Sequence, residues 1–322
     1  GQITSNSSVS LCKVNNITIN APEAKGVGGL AGDSRTGTSF TASSASGSIT
    51  AASNIGGIVG SAGNDVTVTN CHADMTLKGK NTIGGIAGES SRGLISNNYS
   101  RGSITATEAD RWSGNYNVGG IIGDLGTDWS GSTTIVATGN LTAIESVTLP
   151  ENAEAKAVHR IVGRSIADEE WMEGEEPRTE VGLANNYAIA EMTINGATTT
   201  SEDATTVEGA DVAGADLSDD FFKETLGFAY GTTAEEPWKE TAFPILFFEN
   251  VATDITLDKT TAEMVADDEI SLTATVEGSS AERVEFTSSN PAVAQIVSVE
   301  AEGNTAVAVI RCMAEGTATI TA

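Results

Sequence analysis

Six stretches of the chain share one pattern, in which apolar residues alternate with Ser, Thr or Asn. They run from Leu11 to Ile19, Phe40 to Ala52, Val66 to Leu77, Leu94 to Ala106, Ile135 to Ala143 and Leu183 to Ile194. Triplets such as Ser103-Ile104-Thr105 and Met75-Thr76-Leu77 have the two-residue period of a half-buried strand. The first 200 residues show no sustained helical period. Asn97, Asn98 and Gly102 punctuate the fourth stretch, which predicts corners where left-handed backbone is tolerated.

A glycine-rich hexamer follows each of the first four stretches: Val27 to Gly32, Ile55 to Gly60, Ile83 to Gly88 and Val118 to Gly123, with starts 28, 28 and 35 residues apart. A fifth copy, Val158-His159-Arg160-Ile161-Val162-Gly163, keeps the apolar positions and the last glycine but loses the glycine pair. Self-similarity at a near-fixed period predicts one structural unit per repeat, each burying the apolar edge its neighbour leaves open. The branched residues supply inward methyl groups. The pairs Gly28-Gly29, Gly56-Gly57, Gly84-Gly85 and Gly119-Gly120 remove side chains where backbones approach closely, and they also permit positive φ. No helix follows any copy, so the glycines do not read as a nucleotide-phosphate cradle, which must open a helix. The expected fold is all-β, a parallel β-solenoid with one repeat per coil.

The hexamers, with the Asn- and Thr-rich runs before them, resemble the GLUG-motif repeats of bacterial secreted and surface proteins over about residues 8–195. The segment Phe221 to Phe228, followed by Pro237-Trp238-Lys239 and Phe243 to Leu246, is similar to the closing segment that often ends such arrays. The resemblance implies a capping segment at about 217–250, covering the last apolar layer within a solenoid domain of residues 1–250. The eroded fifth hexamer and the insertions within 106–117 and 144–157 depart from the family pattern.

From Val251 the pattern changes to short alternating strands at Asp254 to Leu257, Ile270 to Val276, Val284 to Thr287, Ala306 to Ile310 and Thr317 to Ile320, a spacing typical of a β-sandwich. Residues Ser288 to Ala294 and Gly316 to Thr321 resemble a group 2 bacterial immunoglobulin-like domain, here 251–322, with Phe286 where that family usually has a Trp. Such domains are usually spacers or adhesive modules. Because Ala322 falls in the expected final strand, a longer protein is expected.

Charge narrows the function. The chain holds 44 acidic and 17 basic residues, a net charge of -27, which opposes binding to phosphate backbones. The first 100 residues carry +1, residues 101–250 carry -19 and residues 251–322 carry -9, so the regular repeats are close to neutral. No apolar stretch approaches the roughly 20 residues that span a bilayer. Cys12, Cys71 and Cys312 are three, widely spaced and without a C-x-x-C, which signals neither a disulfide framework nor a zinc site.

Candidate chemistry is thin. Cys71 and His72 are adjacent in a strand, where neighbours point to opposite faces, and His159 occupies a glycine slot of the fifth hexamer. Acidic runs offer hard oxygens for Ca2+ at Asp168, Glu169, Glu170 and Glu173, and again at Asp211, Asp216, Asp219 and Asp220. Neither follows the ligand order of an EF-hand or of the nonapeptide calcium repeat, and no other cofactor is expected. Trp112, Tyr116, Trp129 and Trp171 sit among Asn, Ser, Gly and Asp in the inserted loops. Exposed, they would make stacking platforms for sugars or anchors for a protein partner; the alternative is that each packs onto the wall. The resulting expectation is a non-catalytic, adhesin-like cell-surface or secreted bacterial protein that presents a solenoid surface to glycan or protein. The alternative is a polysaccharide-active β-helix enzyme, lyase or hydrolase, recognisable by a groove that lines up two or more carboxylates with an Arg or Lys.

Overall fold

The computed structural model describes residues 1–126, 133–165, 179–241, 243–249, 254–277, 281 and 284–322. It is 53% strand and 3% helix, so the all-β expectation holds. The chain divides into two compact units, Gly1–Phe248 and Glu249–Ala322.

In the first unit, successive repeats stack strand on strand in parallel. One six-stranded sheet takes Gln2–Ile3, Ala31–Ser34, Val59–Ala62, Ala87–Ser90, Ile122–Leu125 and Val162–Ser165 in that order. A second takes Ser8–Ser10, Ser39–Thr41, Val66–Thr69, Gly93–Ser96, Thr133–Thr138 and Thr179–Ala184. The largest sheet is joined by long strands, Lys13–Gly28 and Ser44–Gly56, that run through a bend. Residues of equal rank therefore lie in columns. Ile19, Ile49, Leu77, Ile104, Val147 and Ile194 form one; Val27, Ile55, Ile83, Val118 and Val158 form another. The inner members of both are fully buried, and each buried Ile or Leu is worth about 1.5–3 kcal/mol of transfer free energy.

Two columns of left-handed backbone turn the chain between sheets. Leu11, Ala42, Asn70, Asn97, Gly139 and Asn185 form the first, with φ between 47° and 66°. Gly26, Asn54, Thr82, Asn117 and Ala157, each one residue before a hexamer, form the second, with φ between 50° and 66°. Asn97 is thus a corner, as its type predicts. Asn98 is instead fully buried and begins a ladder. Its Oδ1 accepts the Cys71 N–H at 2.8 Å, its Nδ2 donates to Asn140 Oδ1 at 3.0 Å, and Asn140 Nδ2 donates to Asn186 Oδ1 at 3.0 Å. The spare amide hydrogens of the three reach the carbonyls of Val68, Ile95 and Ala137.

The hexamer glycines serve close approach alone. None has positive φ, which corrects the expectation that conformational freedom was part of their role. A Cβ on Gly29, Gly57, Gly85 or Gly120 would come closer than 3.0 Å to the carbonyl oxygen of the equivalent residue one repeat later: Gly57, Gly85, Gly120 and Arg160. Arg160 is the last in that series. Beyond it the main chain of Val207, rather than another hexamer, accepts the N–H groups of Ile161 and Val162. Erosion of the fifth hexamer therefore marks the end of the stack, where the reason for glycine lapses.

The aromatic segment expected to close the array packs elsewhere. Phe222, Leu226, Phe228, Trp238 and Leu246 form a cluster with Ala42, Tyr99 and Leu141. Asn97 Nδ2 donates to the Leu226 carbonyl at 2.9 Å, and Tyr99 Oη donates to the Pro244 carbonyl at 2.8 Å. These partners belong to several successive repeats, so the segment braces the flank of the stack along the first corner column.

The second unit is a four-stranded antiparallel sheet in the order Asp254–Leu257, Glu269–Glu277, Thr305–Cys312, Ala294–Glu302, beside a two-stranded sheet of Thr287–Ser288 and Ile320–Thr321. Its core is Leu272, Ala274, Val276, Phe286, Ala306, Ala308 and Ile310. The strand Ala294–Glu302 is an edge whose Val297 and Val299 remain 49% and 43% exposed, and it is missing from the strands expected on sequence.

Candidate functional site

On the first unit a polar cleft of about 350 Å³ opens beside the second corner column. Its walls come from three places. Asn54, Thr82 and Asn117 belong to the corner column itself. Glu89, Asp124 and Arg164 stack in register on the neighbouring sheet. The inserted loop at 107–117 adds Asp110, Ser113 and Asn115. The positive φ that turns the chain thus also sets the Asn54 and Asn117 amides on the cleft.

Several donors inside the cleft converge on its carboxylates. Arg164 donates to both oxygens of Asp124, at 2.9 and 3.1 Å, and Asn117 Nδ2 donates to Asp124 at 3.0 Å. Asn54 Nδ2 donates to Glu89, and Ser113 Oγ donates to Asp110 at 3.1 Å. The Asp110 carboxyl is also held by the backbone N–H groups of Ser113 and Trp112, at 2.9 and 3.0 Å. The Ser113 N–H is foremost in lowering its pKa; the Trp112 N–H, the Ser113 hydroxyl and the Arg111 charge add to it, against a smaller upward push from burial. Asp110 is therefore ionised and a poor proton donor near neutral pH. Asn117 is only 8% exposed, yet its Oδ1 accepts no hydrogen bond from the protein, and neither does Asn115 Oδ1.

Trp112 rises from the same loop, 82% exposed, with the Arg111 guanidinium 4.5 Å from its ring centroid. Tyr116, four residues on, is 7% exposed and part of the main core. It is a wall residue and offers no platform, because its position directly precedes the corner at Asn117 where the chain turns in. Trp129 and Trp171, with Asp168, Glu169, Glu170 and Glu173, lie outside the described residues. Of the second acidic run, Asp211 accepts from Arg160 at 2.6 Å and Asp219 accepts from Tyr230 Oη at 3.3 Å. Among the described residues no three His, Cys, Asp or Glu side chains converge as a metal site.

The histidines are engaged structurally. His72 stacks on Tyr99, with ring centroids 4.8 Å apart, while Cys71 is fully buried and its Sγ points to the Thr69 carbonyl at 3.3 Å. Burial raises the Cys71 thiol to about 12, which removes it as a nucleophile. His159 Nδ1 lies 2.7 Å from Glu208 Oε1, and the buried Arg160 beside it donates to Asp211 and, at 3.0 Å, to the Gly209 carbonyl. Together these bonds tie the closing segment to the last repeat.

Sequence reading found the loop with Trp112 but missed Glu89, Asp124 and Arg164. They are 35 and 40 residues apart, and the signal that could have joined them is their common offset, one residue after the hexamer's last glycine. No family model matches the chain, and no curated protein or solved structure is significantly similar to it. Among the described residues no helix is long and apolar enough to cross a membrane.

Proposed function

We propose that the first unit is a β-solenoid of GLUG-type repeats, and that the chain is a non-catalytic, adhesin-like bacterial surface or secreted protein that binds glycan through the cleft beside Trp112. The second unit is read as an immunoglobulin-like spacer. The observation that carries the binding role is the exposed Trp112 on a loop that also walls a polar cleft, an apolar ring face beside hydrogen-bonding groups. A glycan array run with and without Ca2+ on the chain and on Trp112→Ala tests it. The expected result is a glycan signal that the substitution removes; binding unchanged in the variant would refute the site.

A polysaccharide-active enzyme is the second reading. Glu89, Asp110 and Asp124 with Arg164 form the lining of carboxylates and a base that such chemistry needs. Against it stands the spending of Arg164 and Asn117 on Asp124 and the lowered Asp110. Release of reducing ends or of unsaturated product from a polysaccharide panel, abolished by Glu89→Gln, would favour the enzyme.

A further inference from the structure

The second unit has a sheet edge whose two faces differ in chemistry. Strand Ala294–Glu302 is last in the order of its four-stranded sheet and pairs on one side only, with Thr305–Cys312. A bulge falls between Ile296 and Ser298, and beyond it Ser298 to Glu302 pair one to one with Val309 to Thr305. Residues opposite one another in a ladder point to the same face. Val299 and Ala301 therefore share the face of Ala308 and Ala306, which are fully buried in the core. Yet Val299 is 43% exposed, and Ala301 is exposed too. The core-facing side of the sheet is thus incomplete at this edge. On the opposite face stand Ser298, Glu300 and Glu302, all exposed. Neither glutamate forms an ion pair among the described residues.

An edge strand offers unpaired backbone N–H and C=O groups, a template for one more strand. The side chains here say which strand fits. Residues of an incoming segment opposite Val299 and Ala301 lie over the open side of the core, where apolar groups are favoured. Those opposite Glu300 and Glu302 are favoured when positive, because opposite charges facing each other across a ladder stabilise it and like charges destabilise it. A second copy of this edge fails that condition. It would set glutamates against glutamates, and residues 251–322 already carry -9. We propose that Ala294–Glu302 is a docking edge for an extended segment of a partner protein in which apolar residues alternate with Lys or Arg, added as a fifth strand along Ser298–Glu302. The bulge interrupts the ladder and so sets Ser298 as one limit of the docked stretch. This edge gives the unit read above as a spacer a contact of its own, and its occupancy does not depend on glycan binding beside Trp112.

Titration calorimetry and hydrogen exchange on the full chain test this with three nonapeptides. One alternates Val and Lys, one alternates Val and Glu, and one has the Val and Lys residues in two separate blocks. The alternating Val–Lys peptide is expected to bind, to slow exchange within Ser298–Glu302 and to weaken as salt rises. The Val–Glu peptide is expected not to bind, and the block peptide, with the charge but not the alternation, to bind about tenfold more weakly or less. Glu300→Lys combined with Glu302→Lys is expected to weaken the Val–Lys peptide about tenfold or more. Val299→Ser, checked for an unchanged melting temperature, is expected to weaken it severalfold and to leave its salt dependence in place. Equal binding of the block peptide overturns strand addition in favour of charge alone. Equal binding of the Val–Glu peptide, or no effect of the double charge reversal, overturns the basic partner. Protection of Ser298–Glu302 that rises with the concentration of the chain alone overturns it in favour of a second copy, and no binding of the Val–Lys peptide overturns the docking edge itself.

Discussion

One position in the repeat takes opposite residues for a single physical reason. At Gly57 a Cβ would press on Ala73 Cβ and on the Gly85 carbonyl, the latter backbone that cannot yield without shifting the next repeat. Gly57→Ala is therefore expected to destabilise the first unit by about 1–3 kcal/mol, the range for overpacking. At the equivalent place in the last hexamer the side chain is Arg160, 1% exposed and paired with Asp211 and, at 3.6 Å, with Glu208. Shortening it should also destabilise, because it leaves two half-buried carboxylates without their cation: Arg160→Ala is expected to cost up to about 3–5 kcal/mol. Urea denaturation of both variants checks the pair, and a neutral Gly57→Ala would show that the repeats are looser than their register implies.

At the scale of the element, the ladder Asn98, Asn140 and Asn186 does for the corner what the apolar columns do for the walls. Each amide satisfies a backbone N–H and a carbonyl of the preceding repeat, so removing one strands groups in its neighbour. Asn140→Ala leaves the Asn98 N–H and the Ile95 carbonyl unsatisfied in a dry corner, at about 1–3 kcal/mol for each buried group. Hydrogen exchange is the sharper measurement: the Asn98 amide should lose protection while the strand Ser44–Gly56 keeps its own. Uniform loss across the unit would mean that the ladder is not locally independent.

For the first unit as a whole, acid stability should depend on how the stack is closed. Burial would raise the Glu208 carboxyl pKa, but the hydrogen bond and charge of His159 and the N–H and charge of Arg160 outweigh it and hold the group below the usual carboxylate range. A lowered folded-state pKa contributes stability above the unfolded value, about 4.3 for Glu, and that contribution is lost as pH falls through the folded value. The melting temperature of the parent should thus exceed that of Glu208→Gln at pH 7, with the gap closing below about pH 4.3. A gap independent of pH would refute the role of the charge.

Much of this architecture is legible in the sequence because it repeats. The period of the hexamers, the two-residue alternation before them and asparagine at Asn97 each have a local cause: strand pleat, apolar burial and tolerance of left-handed backbone. Those causes act within a few residues, so a linear reading reaches them. Other features belong to the tertiary structure because their causes lie one repeat or more away. Glycine at position 57 is explained by a carbonyl at position 85, and arginine at position 160 by the absence of a sixth hexamer above it. The aromatic segment near Trp238 bears on the flank because the closing place is already filled by the chain around Val207. Glu89, Asp124 and Arg164 read as scattered charges until parallel stacking sets them in one column, and only then does the neighbouring loop turn them into a cleft. Sequence by itself determined the repeating unit and its all-β character, which follow from forces between near neighbours. Stacking decided which side chains share a surface, because register between distant strands sets that and no short stretch of the chain encodes it.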